Sequence, residues 1–248
     1  MFSIVIPSKN EEKQIGALLK SIKEQTVQPH SIILSDKSTD RTREIAKAYD
    51  VKIIEGQDDG LIGKARNKGA AVAAGEILMF VDADTELTTC TFLEDALTCF
   101  DTLELDIASC YYKPTVHNWK TFITFHIINA CKWLDSFLQM GVTTGGGFII
   151  IKKQAFKAVE GFNENVRVCE DIELVWRLLK RKYRYGVLPL NILVSSRRLG
   201  DASPLSIIIS TIGGIGSTMV NVWKINWLKG HKDTFEKMYG ETGGNAKR

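Results

Sequence analysis

Apolar residues along the 248-residue chain recur in two rhythms. Short apolar runs at residues 2–6, 32–34 and 77–81, together with Val51-Lys52-Ile53-Ile54, predict buried strands, and polar residues follow them. Between these runs, Ile15, Leu18, Leu19 and Ile22 keep helical spacing after Asn10-Glu11-Glu12. The Ser, Asp and Thr residues of 35–42 supply turn and N-cap chemistry for a helix through Ala48. Residues 60–74 read as a Gly-rich loop and an Ala-rich helix. Strand and helix alternate, which predicts an α/β fold with a mainly parallel central sheet flanked by helices.

The second half is less regular. Residues 106–112 predict another strand, and 117–140 a mostly helical stretch carrying Trp119, Phe122, Phe125, Trp133 and Phe137. Aromatics at helical spacing usually form core, but an exposed subset could stack on a sugar or meet lipid. His126, with no partner evident in the sequence, reads as structural. Gly145-Gly146-Gly147 leads into a strand, residues 161–164 make a turn, and Cys169-Glu170-Asp171 opens a helix with core-spaced Ile172, Val175, Trp176 and Leu179. Residues 202–223 carry no charge and are followed by Lys224, Lys229 and Lys232, yet Pro, Ser, Thr and Gly dilute them. That stretch suits a bilayer span, an interfacial helix or a buried C-terminal helix.

Composition narrows the class without naming a partner. With 44% apolar and 25% charged residues the chain is an ordinary folded protein, long enough for one large α/β domain with a C-terminal appendage. A net charge of +3 gives no reason to expect nucleic acid. The five cysteines are scattered, with no Cys-x-x-Cys and no nearby His at ligand spacing, so a reducing, cytoplasmic setting is expected and Cys169 reads as a small filler. The opening residues lack a basic n-region, so no secretory signal is expected.

The candidate chemistry sits where an apolar run stops at acid. Asp82 and Asp84 follow residues 77–81, and in α/β sheets ligands bind beyond the carboxyl ends of the strands. Two carboxylates so close repel unless they share a cation, and Mg²⁺ or Mn²⁺ takes such oxygens together with phosphates and waters. A solvated acidic turn is the plainer account. Glu170 and Asp171 at a helix start could likewise simply complement the helix dipole, or could keep a carboxylate ionised and ready to accept a proton.

Five stretches, in this order and spacing, carry a resemblance: Ile-Pro-Ser-Lys-Asn-Glu-Glu (6–12), Asp-Lys-Ser-Thr-Asp-Arg-Thr (36–42), Ala-Arg-Asn-Lys-Gly (65–69), Ala-Ala-Gly-Glu-Ile (73–77) and Val-Asp-Ala-Asp (81–84). The chain resembles family 2 glycosyltransferases with the GT-A fold. The resemblance implies a catalytic domain over 1–200, with a nucleotide-sugar-binding half (1–100) and an acceptor half (101–200), and an appendage over 201–248. It implies that Pro7, Lys9, Glu11 and Asp36 line the nucleoside pocket. One residue is missing after Asp36 relative to the family pattern, so either Asp36 keeps that place or Ser35 fills it. Asp82, Ala83 and Asp84 would meet the diphosphate, with Asp84 and Asp82 on the Mg²⁺ or Mn²⁺. Lys64 and Arg66 would add positive charge, Arg66 as a fork to phosphate oxygens, although a solvated basic face explains Lys64 as well. Asn67 would orient its loop.

On the acceptor side, Gly-Gly-Phe followed by Glu-Asp implies Asp171 as general base, with Glu170 as its competitor. Ser195-Ser196-Arg197-Arg198 resembles a Ser-Ala-Arg-Arg element of some members, in which Arg197 and Arg198 would pin the diphosphate; a solvated or membrane-facing patch is the other explanation. No Gln-x-x-Arg-Trp occurs, which favours single-sugar transfer over processive synthesis. The expected partners are a nucleotide-sugar donor and an acceptor such as a polyprenyl phosphate or glycolipid, with peripheral contact at the cytoplasmic face of the membrane. Two other classes compete: a haloacid-dehalogenase-like phosphatase, whose motif Glu86 fits poorly, and a noncatalytic nucleotide-sugar binder.

Overall fold

The computed structural model describes residues 1–56, 60–116, 118–139, 141 and 146–195. The first half alternates as the apolar rhythm requires: β1 (Phe2–Ser8), α1 (Ile15–Lys23), β2 (Ser31–Asp36), α2 (Thr42–Ala46), β3 (Lys52–Glu55), α3 (Ile62–Val72) and β4 (Ile77–Val81). It continues through β5 (Thr85–Leu87), α4 (Phe92–Thr102), β6 (Ile107–Pro114), α5 (Trp119–Leu138), β7 (Phe148–Lys152), α6 (Lys153–Ala158), α7 (Glu170–Lys180) and β8 (Tyr185–Val194). The short β5 and α6 have too few residues to show a period in the sequence.

Among the described residues, eight strands join one sheet in the order β3-β2-β1-β4-β7-β6-β8-β5. The expected parallel pairing holds across β3-β2-β1-β4. Beyond β4 the sheet is mixed, because β7 runs antiparallel to both β4 and β6 while β6 and β8 are parallel. This reversal has a consequence for the cleft. Val81, the last residue of β4, pairs with Phe148, the first of β7, so Gly146 and Gly147 lie at the strand end that carries Asp82.

The central strands are apolar on both faces because helices cover both. Ile4, Ile6, Met79 and Val81 pack with Ile15, Leu18 and Leu19 of α1 and Phe92 and Leu93 of α4 in one core layer. Their sequence neighbours Val5, Leu78 and Phe80 point the other way, into a layer built with α3, α6 and α7. Residues of one strand therefore alternate between two cores, and a continuous apolar run is what such burial demands.

Helix α5 decides between the core and exposed roles that the sequence left open for its aromatics. Of the five aromatics named on the 117–140 stretch, only Phe125 is buried, while Trp119, Phe122, Trp133 and Phe137 are exposed. Helix α5 nonetheless starts on a full local signal, with Asn118 and Thr121 exchanging side-chain and backbone hydrogen bonds in a capping box. It is fixed to the sheet by Asn129, whose amide accepts from the Tyr112 N–H and donates to the Tyr112 carbonyl. Among the described residues no helix is long and apolar enough to cross a membrane, and residues 202–223 lie outside that set.

Helix α3 approaches the sheet through Gly69. A Cβ placed there would lie 2.3 Å from Cγ1 of Val5. On helix propensity alone Gly69→Ala would stabilise by roughly 1 kcal/mol. The contact reverses the sign: overpacking against β1 is expected to cost about 1–3 kcal/mol in urea unfolding. A variant as stable as the parent or more so would show that α3 does not pack this closely.

Candidate active site

The parallel strands β1, β2 and β4 end along one edge, and the candidate residues gather there. Ser8 ends β1 beside Asp36, which ends β2. The Asp36 carboxylate is fully buried and accepts from the hydroxyls of Ser8 and Ser38, the Ser38 N–H at 3.1 Å and Nε of Arg43 at 2.6 Å. These donors fill the carboxylate's usual acceptor capacity, so in this conformation Asp36 anchors the loop after β2. Ser35, one residue earlier, is also fully buried and points to the other face of the sheet.

The two loops above this anchor are knitted together. The Asn10 N–H donates to Ser38 Oγ, the Glu11 N–H to Thr42 Oγ1 and the Glu12 N–H to Asp40 Oδ2, while Asn10 Oδ1 accepts from the Thr39 N–H. Asn10 sits in the left-handed region at φ 58°, a conformation that Asn tolerates better than most residues. Pro7 and Glu11 are buried and Lys9 is exposed at the rim. Sequence inspection missed Ser8 and Arg43. Arg43 stands seven residues after Asp36, a separation that signals nothing until the loop folds back.

Arg66 occupies the centre of the site, and not as expected. Its side chain is 1% exposed. Nη1 donates to Glu170 Oε1 at 2.6 Å, and Nη2 donates to Asp82 Oδ1 at 2.8 Å and to the Gly146 carbonyl at 3.2 Å. The guanidinium also lies 5.3 Å from the Phe162 ring centroid. The fork expected for phosphate is thus engaged by two carboxylates, one from the β4 end and one from the start of α7. The correction follows from alternation: Asp82 falls on the same face as Phe80, the face that α3 and α7 cover.

Gly146 makes this possible, since a Cβ there would sit 2.7 Å from Arg66 Nη2 and 3.5 Å from Asp82 Oδ2. Burial pulls the Arg66 pKa down, but the charges of Asp82, Glu170 and Asp171 more than offset it, so the net shift is upward. Lys64 is half-buried in the first turn of α3. Asn67 orients the next loop, as expected, by donating to the Phe162 carbonyl and accepting from the Phe162 N–H.

Asp171 lies beside Glu170 in the first turn of α7, behind Cys169, which takes φ 60° at the N-cap. Its Oδ1 accepts from the Ile172 N–H at 2.9 Å. Burial, reinforced by the charge of Glu170, pushes its pKa up to about 7 against the opposing pull of Arg66. A carboxyl that titrates near neutrality is suited to exchanging protons at physiological pH. Lys132 of α5, another residue that sequence inspection missed, is fully buried, donates to Ser109 Oγ at 2.9 Å and lies 3.7 Å from the Tyr112 ring centroid. Burial lowers its pKa to about 8 against the charges of Cys110, Asp171 and Asp135. Its one sequence signal was a lysine three residues from an acid inside an aromatic helix.

Three carboxylates, Asp82, Glu170 and Asp171, act on the buried guanidinium of Arg66. Asp84 and Ala83 are buried in the turn between β4 and β5, and the Asp84 carbonyl accepts from the Ser195 N–H at 3.1 Å, which ties that turn to the end of β8. Arg66 takes Oδ1 of Asp82, while Oδ2 faces the gap that Gly146 leaves without a Cβ. Among the described residues no three acid, His or Cys side chains are grouped to hold a metal by themselves, so Mg²⁺ or Mn²⁺ here would need phosphate oxygens beside the carboxylates of Asp82 and Asp84. Arg197 and Arg198 lie outside the described residues, as does Gly145.

The raised pKa of Asp171 has a stability consequence. Between about pH 4 and its folded value near 7 the native state binds the extra proton, so this carboxyl's contribution is complete at low pH and is lost as pH rises to about 7. Asp171→Asn removes that loss. Its melting temperature is expected to exceed the parent's by on the order of 5 °C at pH 8 and to match it below pH 4. An equal difference at both pH values would mean that Asp171 is not held protonated by burial.

Residues 3–156, more than half of the chain, match the family described as Glycosyl transferase family 2. The chain is 40% identical over 91 residues to 4,4'-diaponeurosporenoate glycosyltransferase of Staphylococcus haemolyticus (34% of this chain, 24% of the relative). It is 29% identical over 203 residues to the minor teichoic acid biosynthesis protein GgaB of Bacillus subtilis (75% of this chain, 22% of the relative). These matches span less than a quarter of either relative's length. Among solved structures, the mannosyltransferase PcManGT from Pyrobaculum calidifontis, in complex with GDP-Man and Mn²⁺, superposes with a TM-score of 0.73 at 16% identity (98% of this chain, 68% of that one). Residues 1–349 of S. aureus TarS with UDP give 0.61 at 21% (89% and 65%). These likenesses put the strand-end cluster on a GT-A scaffold rather than on that of a phosphatase, and the chain belongs to glycosyltransferase family 2.

Proposed function

We propose that the protein transfers a single sugar from a nucleoside-diphosphate sugar to an acceptor hydroxyl or phosphate, with inversion at the anomeric carbon and with the help of a divalent metal. The observation that carries this reading is the link Asp82–Arg66–Glu170, which joins the candidate metal-binding turn to the start of α7, where the candidate base, Asp171, follows Glu170. The loops after β1 and β2, with Pro7, Lys9, Glu11 and Asp36, border the nucleoside. Asp84 and Asp82 are the residues that would hold Mg²⁺ or Mn²⁺, which when bound supplies positive charge to the departing diphosphate. Arg197 and Arg198 would add to that charge from the segment after β8.

On the other side, Asp171 takes the proton of the acceptor as its oxygen attacks the anomeric carbon from the face opposite the diphosphate. One displacement gives inversion. Glu170 already accepts from Arg66 at 2.6 Å, which leaves Asp171 as the better proton acceptor of the pair. Arg66 keeps Asp82 and Glu170 placed while their mutual repulsion is screened. Relatives named for diaponeurosporenoate and for teichoic acid support an acceptor that is lipid-linked or polymeric, such as a polyprenyl phosphate or a glycolipid. Solved neighbours with UDP-GlcNAc and with GDP-Man support a nucleotide-sugar donor of either base.

Asp84→Asn keeps the turn and removes an ionised oxygen. Calorimetric titration with UDP and GDP is expected to show Mn²⁺-dependent binding in the parent that falls by about 100-fold or more in the variant, with little change in melting temperature. Unchanged metal-dependent affinity would overturn the metal assignment. Asp171→Asn is expected to bind donor normally and to lose roughly 10²- to 10⁴-fold in transfer rate. In the parent, kcat/KM should rise with pH through about 7 as Asp171 ionises. Normal turnover by Asp171→Asn with a dead Glu170→Gln would exchange the roles of the two acids.

A further inference from the structure

Helix α5 is built inside out. Its buried side is largely polar: Thr121, Thr124, Lys132 and Asp135 face the protein with Phe125, and Asn129 bonds to β6. Its outer side carries Trp119, Phe122, Ile123, Trp133, Leu134 and Phe137, with Phe137 77% and Trp119 66% exposed. Of the eleven large apolar side chains exposed among the described residues, seven belong to this one helix. Scattered exposed apolar residues need no explanation, whereas a contiguous face does. An ordinary surface helix turns its apolar stripe inward.

Charge selects the occupant. Of the three charged residues in α5, Lys132 and Asp135 are buried and only Lys120 is exposed, so the outer face presents one cation and no carboxylate. Lys113 is exposed just before the helix. Two tryptophans fourteen positions apart stand about 21 Å from each other along the axis, on a helix about 30 Å long. Trp prefers the boundary between hydrocarbon and headgroup, and lysines beside an apolar face favour anionic headgroups. A second copy of this face would bring like charges together.

We infer that the outer face of α5 is a docking surface for a lipid bilayer, on which the helix lies flat with its aromatic side chains at the acyl boundary. The same helix carries Lys132 on its inner side, bonded to Ser109 of β6, so docking brings the β6 edge of the protein to the membrane surface. The inference stands on α5 itself and needs neither the donor nor the acceptor to be identified.

The test is vesicle flotation of the full chain on phosphatidylcholine with and without phosphatidylglycerol, with the partition coefficient measured by titration. The parent is expected to float, more strongly on the anionic vesicles, and its tryptophan emission to be quenched by brominated lipid. The triple variant Phe122→Ser, Trp133→Ser, Phe137→Ser should partition at least about 100-fold more weakly. The corresponding triple leucine variant should retain most of the binding. Circular dichroism and UDP titration report whether each variant is folded.

Three results would overturn the inference. The parent could stay unbound on both kinds of vesicle. The folded serine variant could float like the parent while full-length Ile208→Asp, Ile212→Asp does not, which would assign binding to residues 202–223. Or sedimentation velocity could show a dimer that the serine variant loses, with no vesicle binding, which would make the face a contact between copies of this chain. Each readout works without turnover, so a failed transferase assignment leaves it interpretable.

Discussion

The guanidinium of Arg66 is the interaction on which the cleft depends. A buried cation with carboxylates on two sides is tolerable only as a set. The isolated charge would be expelled by desolvation, and the isolated acids by repulsion. Arg66 reaches Asp82 at the end of β4, Glu170 at the start of α7 and the Gly146 carbonyl before β7, and so joins three segments that lie far apart in the chain. Breaking such a buried pair typically costs about 3–5 kcal/mol, because the surviving partners lose their compensation. The same set fixes the separation between the residues proposed to hold the leaving group and those proposed to receive the acceptor's proton.

The sheet supplies the framework that this ion network needs. Parallel β1, β2 and β4 bring their carboxyl ends to one edge, and antiparallel β7 brings two glycines to the same place. Small residues recur wherever chain segments approach closely: Gly69 against Val5, and Gly146 against Arg66. Acidic residues gather around one arginine at an open strand end, where we propose that a divalent cation and a diphosphate bind. Around Asp171, burial and the neighbouring Glu170 act together to keep a carboxyl proton near neutral pH, a property set by environment and not by residue type.

Helix α5 shows how the site and the surface are linked. Its inner polar residues bond to Tyr112 and Ser109 of β6, and its outer residues are left apolar. One helix therefore faces two environments in the reverse of the usual order.

Much of this was legible in the residues alone. The apolar runs have to be strands covered on both faces, the intervening periodicities have to be helices, and Asp82 and Asp84 have to stand at a strand end, because these follow from local period and chain order. Glu170 and Asp171 at a helix start were visible for the same reason. The rest is a matter of which distant segments meet. Arg66 looked like a phosphate ligand because the sequence does not show that Asp82 and Glu170, sixteen and 104 residues away, reach it first. The reversal of β7 depends on how α5 returns the chain to the sheet. Helical spacing on α5 was correctly read, but a period states only that a helix has two faces. Which face turns inward is decided by what the sheet offers it, and here the backbone of Tyr112 and the hydroxyl of Ser109 drew the polar side in.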